Sequence, residues 1–521
     1  MSLSRYLLCL LIALLSGCAT LRDDLRPARP SQAISPDTPG VLKNLAYHDN
    51  EGRSGFVMLE EGLDALSARL WLTDHAQHAL DVQVYIFHGD KTGALTAEAL
   101  LRAAERGVRV RVLLDDIYTD QNEAELIALD SHPNIEVRLF NPFRYRGGNL
   151  LTHAYEYVTD RGRINRRMHN KLYIADNQMG IAGGRNIGDE YFQADDALTF
   201  LDLDVLASGP IVQDMSRSFD EYWNSSAVVR ARALPRYRES RKRLPGLSQA
   251  LKSQRLELYK TDYGRDLAMR QLGEHLASGK LAWLPGKASL IVDPPEKVEG
   301  KTSLSDLMVG QLAGLRLDPQ QDLLLVSPYL VPGRIGVEWL TYLRSHGVRV
   351  RVLTNSLVAN DVPLVHAGYA RYRVALLKAG VELYELKPKE NSHPKKHLTL
   401  SSGSSRASLH AKTFVFDRRN VFIGSFNFDP RSALLNTELG VVIDNPDIAQ
   451  RVIELTERTM GPSHSHRVLL KPAAPGVSPQ LVWFSQNEKG EMASTDSEPN
   501  STHWQRFLLK LLMNLPIESN L

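Results

Sequence analysis

The stretch His169-Asn170-Lys171-Leu172-Tyr173-Ile174-Ala175-Asp176, followed by Gly183-Gly184-Arg185-Asn186, decides how this 521-residue chain is read. It occurs twice. The second copy is His410-Ala411-Lys412-Thr413-Phe414-Val415-Phe416-Asp417, followed by Gly424-Ser425-Phe426-Asn427, and it begins 241 positions later. In both copies Lys follows His by two, Asp follows Lys by five, Gly follows Asp by seven, and Asn follows that Gly by three. From average residue usage, a fixed match of this kind arises by chance less than about once in a million positions. Two in one chain point to a duplicated functional unit.

The pattern has a local structure. His169 and Lys171 lead into an apolar run, and a strand period of two puts both side chains on one face. Asp176-Asn177 is a turn signal and residues 179–182 read as the returning strand. The second copy repeats this with residues 413–416, a turn at 417–420 and a return at 421–423. Each Asp sits in its turn, where capping backbone amides is the ordinary role.

The residue types suit displacement at phosphorus. One imidazole can attack and hold a covalent intermediate while a second protonates the leaving oxygen. Two lysines and two asparagine amides, from Asn186 and Asn427, can neutralise charge on the non-bridging oxygens. Such a site calls for no metal and no cofactor. A single histidine on an apolar strand is usually structural; four coupled His and Lys positions reverse that reading.

The rest of the chain repeats as well. Gly-Val-Arg-Val-Arg-Val-Leu stands at 107–113 and again at 347–353. Each copy follows a helical pattern (95–106 and 337–346), and each helix follows an apolar strand (80–87 and 323–330). These are strand–helix–strand units with the continuous apolar runs of a buried parallel sheet, and right-handed crossovers are expected. A repeat this long indicates two domains of one fold rather than a solenoid. The expected division is 46–235 for the first domain, 236–281 for linker helices and 282–521 for the second. The fold class is α/β, with two tandem α-β-α sandwiches sharing one site.

The duplicated pattern resembles the phospholipase D superfamily, which is defined by a doubled H-x-K-x4-D motif. The resemblance covers most of the chain after residue 50 and implies a catalytic set of His169, Lys171, Asp176, His410, Lys412 and Asp417. It implies that His169 is the nucleophile and His410 the acid/base. It also implies an acidic residue downstream of each motif that orients its histidine. Glu438 matches for the second half. For the first half, Asp202 aligns with Glu438 when Gly209-Pro210 is set against Asn445-Pro446, with Asp204 as the rival. Gly184 departs from the Ser that many members carry. Asn165-Arg166-Arg167-Met168-His169 and the overall layout are most similar to the C-type bacterial cardiolipin synthases. That similarity implies transfer between phospholipids, with phosphatidylglycerol, and phosphatidylethanolamine as a second candidate, for substrates. Hydrolysis by a phospholipase D and cleavage by a phosphodiester nuclease use the same motif and stay open, as does a non-catalytic envelope scaffold.

Composition narrows the field. The chain is 43% hydrophobic with a net charge of +2, an ordinary globular balance. It lacks the strong basic excess of a sequence-independent nucleic-acid binder, and no nucleic acid is expected. Arg161, Arg163, Arg166 and Arg167 precede the first motif, either as a solvated loop or as a collector of anionic headgroups. Residues 1–17 read as a signal peptide: a short positive region, then an apolar stretch too short to span a bilayer. Leu15-Ser16-Gly17-Cys18 resembles a lipobox, with Cys18 acylated, residues 18–45 as tether, and Ala19 favouring the outer membrane. The expected protein is a lipid-anchored monomer facing the periplasm at a membrane surface. Near the C-terminus, Trp504, Phe507, Leu508, Leu511, Leu512 and Leu515 share one helical face. Packing against the second domain is the favoured reading of that face, and membrane contact is the alternative.

Overall fold

The computed structural model describes residues 19–20, 30–146, 155–156, 158–195, 199–388, 409–471, 479–487 and 489–515. Cys18 and the signal region lie outside these residues.

The first half carries β1 (Ser54–Leu59), β2 (Ala79–Val84), α1 (Lys91–Glu105), β3 (Arg109–Asp115), β4 (Ile135–Phe140), β5 (Leu172–Ala175), β6 (Met179–Gly183), β7 (Asp204–Ser208), α2 (Pro210–Trp223) and β8 (Val228–Arg230). Strands β2, β3 and β4 are parallel. The hairpin β5–β6 adds antiparallel to β2, and β7 and β1 follow antiparallel in turn.

The second half repeats this order. It carries β9 (Leu284–Val292), β10 (Asp322–Val326), α3 (Gly333–Ser345), β11 (Arg349–Asn355), α4 (Pro363–Ala370), β12 (Glu382–Leu386), β13 (Thr413–Phe416), β14 (Asn420–Gly424), β15 (Leu439–Asp444) and α5 (Pro446–Met460). Strands β10, β11 and β12 are parallel, and the hairpin β13–β14 adds antiparallel to β10. Three antiparallel strands then extend the far edge: β16 (Ser465–Leu470), β17 (Leu481–Gln486) and β18 (Met492–Thr495).

Local chemistry explains the repeats. Both crossover helices end on a glycine with left-handed φ, 96° at Gly107 and 86° at Gly347, the geometry a helix C-terminus favours. In the motif turns the left-handed residues are Asp176 and Asn177 in one copy and Asp417 and Arg418 in the other. Strands β2, β5, β6, β10 and β13 are buried along their whole length.

The two halves meet through their edge strands and a shared core. Leu284, Pro285 and Gly286 of β9 pair antiparallel with Phe56, Gly55 and Ser54 of β1. The rest of β9 pairs with β15, so the two sheets join across one strand. Between them, Val212, Met215 and Phe219 of α2 and Ile448, Val452 and Ile453 of α5 belong to one buried cluster with residues from both sheets. The segment between the halves is helical over Leu244–Leu258, Asp262–Ala268 and Leu272–Ala277. Its Leu251, Leu258, Leu267 and Leu276 pack into the outer core of the first half.

The last helix, α6 (His503–Leu512), corrects the reading of its apolar face. Only Leu509 is buried, against Ala367 and Ala370 of α4, with Leu512 partly covered. Trp504, Phe507, Leu511 and Leu515 stay exposed. The stripe is wider than the contact, so the core absorbs one flank and leaves the other to solvent. Among the described residues no helix is long and apolar enough to cross a membrane.

Candidate active site

Each motif strand is short, and its two ends do different work. Gln83 of β2 pairs with Leu172 and Val326 of β10 pairs with Thr413. His169 and His410 therefore lie just beyond the C-terminal ends of the parallel strands, where open α/β sheets bind ligands. The aspartates lie at the opposite ends. Asp176 accepts from the backbone amides of Gln77, His78 and Ala79, each at 2.8 Å. Asp417 does the same for Gln320, Gln321 and Asp322. At about 3.3 Å per strand residue, each stands roughly 20 Å from its histidine. Asp176 and Asp417 therefore leave the catalytic set: they cap the amides that open β2 and β10.

The histidines are built across the halves. His169 N donates to Thr437 O and His410 N donates to Leu201 O, both at 2.8 Å. These contacts lay the approach to each motif parallel to the acid-bearing segment of the opposite half, at Met168–Thr437 and Leu201–Leu409. The side chains follow. His169 Nδ1 is 2.8 Å from Glu438 Oε2, and His410 Nδ1 is 2.6 Å from Asp202 Oδ2. The pairing read from the sequence is therefore reversed: each acid orients the histidine of the other copy. The reason is geometric, because the chain before β7 and before β15 faces outward from its own sheet into its partner's motif. The rival Asp204 is fully buried in an ion pair with Arg69 at 2.8 Å and serves neither histidine.

With Nδ1–H donated to a carboxylate, Nε2 of each ring is the nitrogen left for chemistry. Lys171 Nζ donates to His169 O at 2.6 Å and Lys412 Nζ to His410 O at 2.5 Å. Burial pushes Lys171 down to about 7 and Lys412 down to about 8. Burial also pushes His169 down to about 4, with Glu438 pulling upward and Lys171 and Lys412 pushing further down. His410 is pushed down to about 3 by burial and then Lys412, against Asp202. Each imidazole thus feels the lysine of the other half. Burial raises the carboxyls of Glu438 and Asp202, but the neighbouring cations outweigh it and hold both below the usual range.

The two asparagines are not equivalent. Asn186 is held at both ends of its amide: Oδ1 accepts from Ile86 N and Nδ2 donates one hydrogen to the Tyr191 hydroxyl. Asn427 Oδ1 is buried with no hydrogen-bond partner among the described residues. Position 184 also differs from its counterpart for a reason. A Cβ on Gly184 would stand 2.2 Å from Asp202 Oδ1. The counterpart Ser425 donates instead to Glu438 Oε2, which already holds His169.

Aromatic rings that sequence reasoning missed complete the walls. Tyr85 meets the His169 ring edge-on at 5.0 Å. Phe200 stacks on His410 at 5.1 Å and Tyr191 meets it edge-on at 5.2 Å. The repeat held no signal for Tyr85, whose counterpart in the second half is Pro328, and none for Phe200. Two members of the basic cluster before the first motif are taken up inside the protein, while Arg161 stays exposed. Arg167 is buried beside Asp115 and over the Phe143 ring, and Arg163 pairs with Glu156 and Asp160. Among the described residues, no group of three or more His, Cys, Asp or Glu is placed to hold a metal ion.

Comparison with known proteins agrees with this architecture. The family described as cardiolipin synthase, PLD-like domain, matches residues 72–223 and 317–460. Cardiolipin synthase C of Escherichia coli K12 is 41% identical over 475 residues, covering 90% of this chain and 96% of that protein. Cardiolipin synthase B of Shigella flexneri is 24% identical, covering 74% of this chain and 75% of that protein. Among solved structures, phosphatidylserine synthase of Haemophilus influenzae superposes with a TM-score of 0.54 at 15% identity, covering 83% of this chain and 90% of that one, a likeness of fold. The chain belongs to the cardiolipin synthase family of phospholipase D-like proteins.

Proposed function

We propose that this protein is a phosphatidyltransferase that joins two phospholipids into cardiolipin through a phosphatidyl group carried on His169. The observation that carries the reading is the crossed pair of imidazoles. Both are oriented through Nδ1 by buried carboxylates and both are flanked by buried lysines, in a chain 41% identical to a cardiolipin synthase over nine-tenths of its length.

The steps follow from the site. His169 Nε2 attacks the phosphorus of phosphatidylglycerol. The phosphorus–oxygen bond to the glycerol headgroup breaks, and glycerol leaves with a proton from His410. Lys171 and Lys412, with the amide of Asn427, stabilise the non-bridging oxygens. His410 then takes the proton from a hydroxyl of a second phosphatidylglycerol, whose oxygen displaces His169 and completes cardiolipin. Burial and Lys412 hold His410 neutral on their own; the anionic phosphodiester offsets the two lysines and raises the imidazole's affinity for a proton taken up from solvent. Transfer outpaces hydrolysis when the site excludes water and holds the acceptor hydroxyl at an effective molarity of about 10⁵ M or more.

We further propose residues 46–235 and 282–521 as the two domains. Cys18 is read as the acylated residue that anchors the chain at a membrane surface facing the periplasm, with the outer membrane favoured.

Purified protein incubated with phosphatidylglycerol, with and without phosphatidylethanolamine, is the test, with products read by mass spectrometry. Cardiolipin and glycerol are the expected products. Phosphatidic acid alone, with every lipid acceptor supplied, makes the protein a phospholipase D and ends the transferase reading.

A further inference from the structure

Helix α6 presents an apolar stripe that no part of the described chain covers. Trp504 is 67% exposed, Phe507 58%, Leu511 54% and Leu515, just past the helix end, 39%. They fall at helical spacing on one side, and the Trp504 and Phe507 rings stack at 5.5 Å. The helix is firmly set. A capping box of Thr502 and Gln505 closes its N-terminus. Leu509 is buried against α4, and the Arg371 guanidinium donates to Leu512 O at its C-terminal end. A rigid helix that exposes a Trp, a Phe and two leucines leaves unpaid hydrophobic surface on a folded protein.

Its position is informative. Helix α4 follows β11, so it stands at the C-terminal ends of the parallel strands, the end at which His169 and His410 lie. Val365 of α4 packs with Val331, next to Tyr329, and Tyr329 OH donates to Asp361, whose charge acts on Lys412. Ile335, 76% exposed at the start of α3, stands at the same end of the sheet. The charge is also one-sided. Between His503 and Leu512 the helix carries Arg506 and Lys510 and no carboxylate.

We propose that α6 is an interfacial helix that lies in the surface of an anionic phospholipid bilayer and sets the mouth of the catalytic site against it. A basic flank beside a Trp-, Phe- and Leu-bearing face is the composition of helices that rest at the headgroup boundary, and Trp favours that boundary. The inference rests on phospholipid being the substrate. It adds an orienting contact on the second half, separate from the N-terminal end, where residues 31–36 of the stretch read as tether are instead hydrogen-bonded to the first half through Asn224, Asp220, Arg109, Asn177 and Gln178.

The test uses the full-length protein with a polarity-sensitive fluorophore on Phe507→Cys, and vesicles of equimolar phosphatidylethanolamine and phosphatidylglycerol. Emission at 507 should shift to the blue and be quenched by nitroxide-labelled lipid, whereas a probe at Lys489→Cys should do neither. In parallel, Leu511→Asp should lower turnover of vesicle lipid by roughly tenfold or more, yet leave turnover of dispersed short-chain phosphatidylglycerol unchanged. A 507 probe that ignores vesicles while the wild-type protein turns over their lipid overturns the proposal. So does light scattering that shows a dimer whose interface protects residue 507. If the probe inserts but neither lipid form is turned over, the catalytic reading fails and the helix assignment stands.

Discussion

The two half-sites share a backbone and differ in how each histidine is held. Glu438 reaches His169 with one methylene more than Asp202 uses to reach His410, and Ser425 fastens it from the side. Asp202 lies against Gly184, where no side chain fits, and is fastened by the backbone amide of Leu203. His169 is the more buried, with one ring edge beside it; His410 is more open and lies on Phe200. A nucleophile needs one fixed aim at phosphorus, whereas an acid/base must meet a leaving alcohol and then an incoming one. The difference in support matches that division and favours His169 for attack.

The hardest way to break this comparison is to exchange the histidines' losses. His169→Ala should abolish both turnover and phosphoenzyme. His410→Ala should cost roughly 10²–10⁴ in rate and still accumulate phosphoenzyme from a substrate with an activated leaving group. Rapid quench with radiolabelled lipid separates the two, and phosphoenzyme in His169→Ala would assign the nucleophile elsewhere.

The crossed carboxylates can be tested by coupling. Glu438→Gln should cost roughly 10²-fold or more, because an amide no longer fixes the tautomer of His169. Read on phosphoenzyme formed from a substrate with an activated leaving group, its effect should persist in a His410→Ala background, whereas the effect of Asp202→Asn should vanish there. Loss of the Glu438→Gln effect in that background, with the Asp202→Asn effect intact, would dissolve the crossed assignment.

Smaller effects sharpen the contrast. Gly184→Ala should destabilise the fold by about 1–3 kcal/mol through overpacking against Asp202, read by chemical denaturation. Ser425→Ala should leave the fold nearly unchanged and lower the rate roughly tenfold, as one hydrogen bond to a charged acceptor is lost.

The pH profile should have two limbs. As pH rises through about 4, His169 loses its proton and kcat/KM should climb. As pH rises past about 7 and then about 8, Lys171 and Lys412 lose theirs, the site's positive charge fades and kcat/KM should fall. The profile in free enzyme and substrate reads these groups directly; a flat alkaline side to pH 9 would remove the lysines from phosphate binding.

Much of this was legible in the sequence. The doubled motif, the strand–helix–strand repeats and the left-handed glycines 107 and 347 are local patterns, and local patterns survive into the fold. The partner of each acid did not show, because matching Glu438 to its own motif assumes that function follows sequence proximity. The contacts that decide it, Met168 with Thr437 and Leu201 with Leu409, span the two halves. The exposed side of α6 was hidden for a similar reason. Helical periodicity marks an apolar face but not how wide a strip of it another element will cover.

The crossing of the acids also acts as an interlock during synthesis. The ribosome delivers His169 while Glu438, 269 residues downstream, does not yet exist. It delivers Asp202 208 residues ahead of the histidine it serves. A chain that ends between residues 202 and 409, or either proteolytic half, carries a histidine without its orienter and a carboxylate without its partner. The crossed site is complete only once Glu438 has met His169 and His410 has met Asp202.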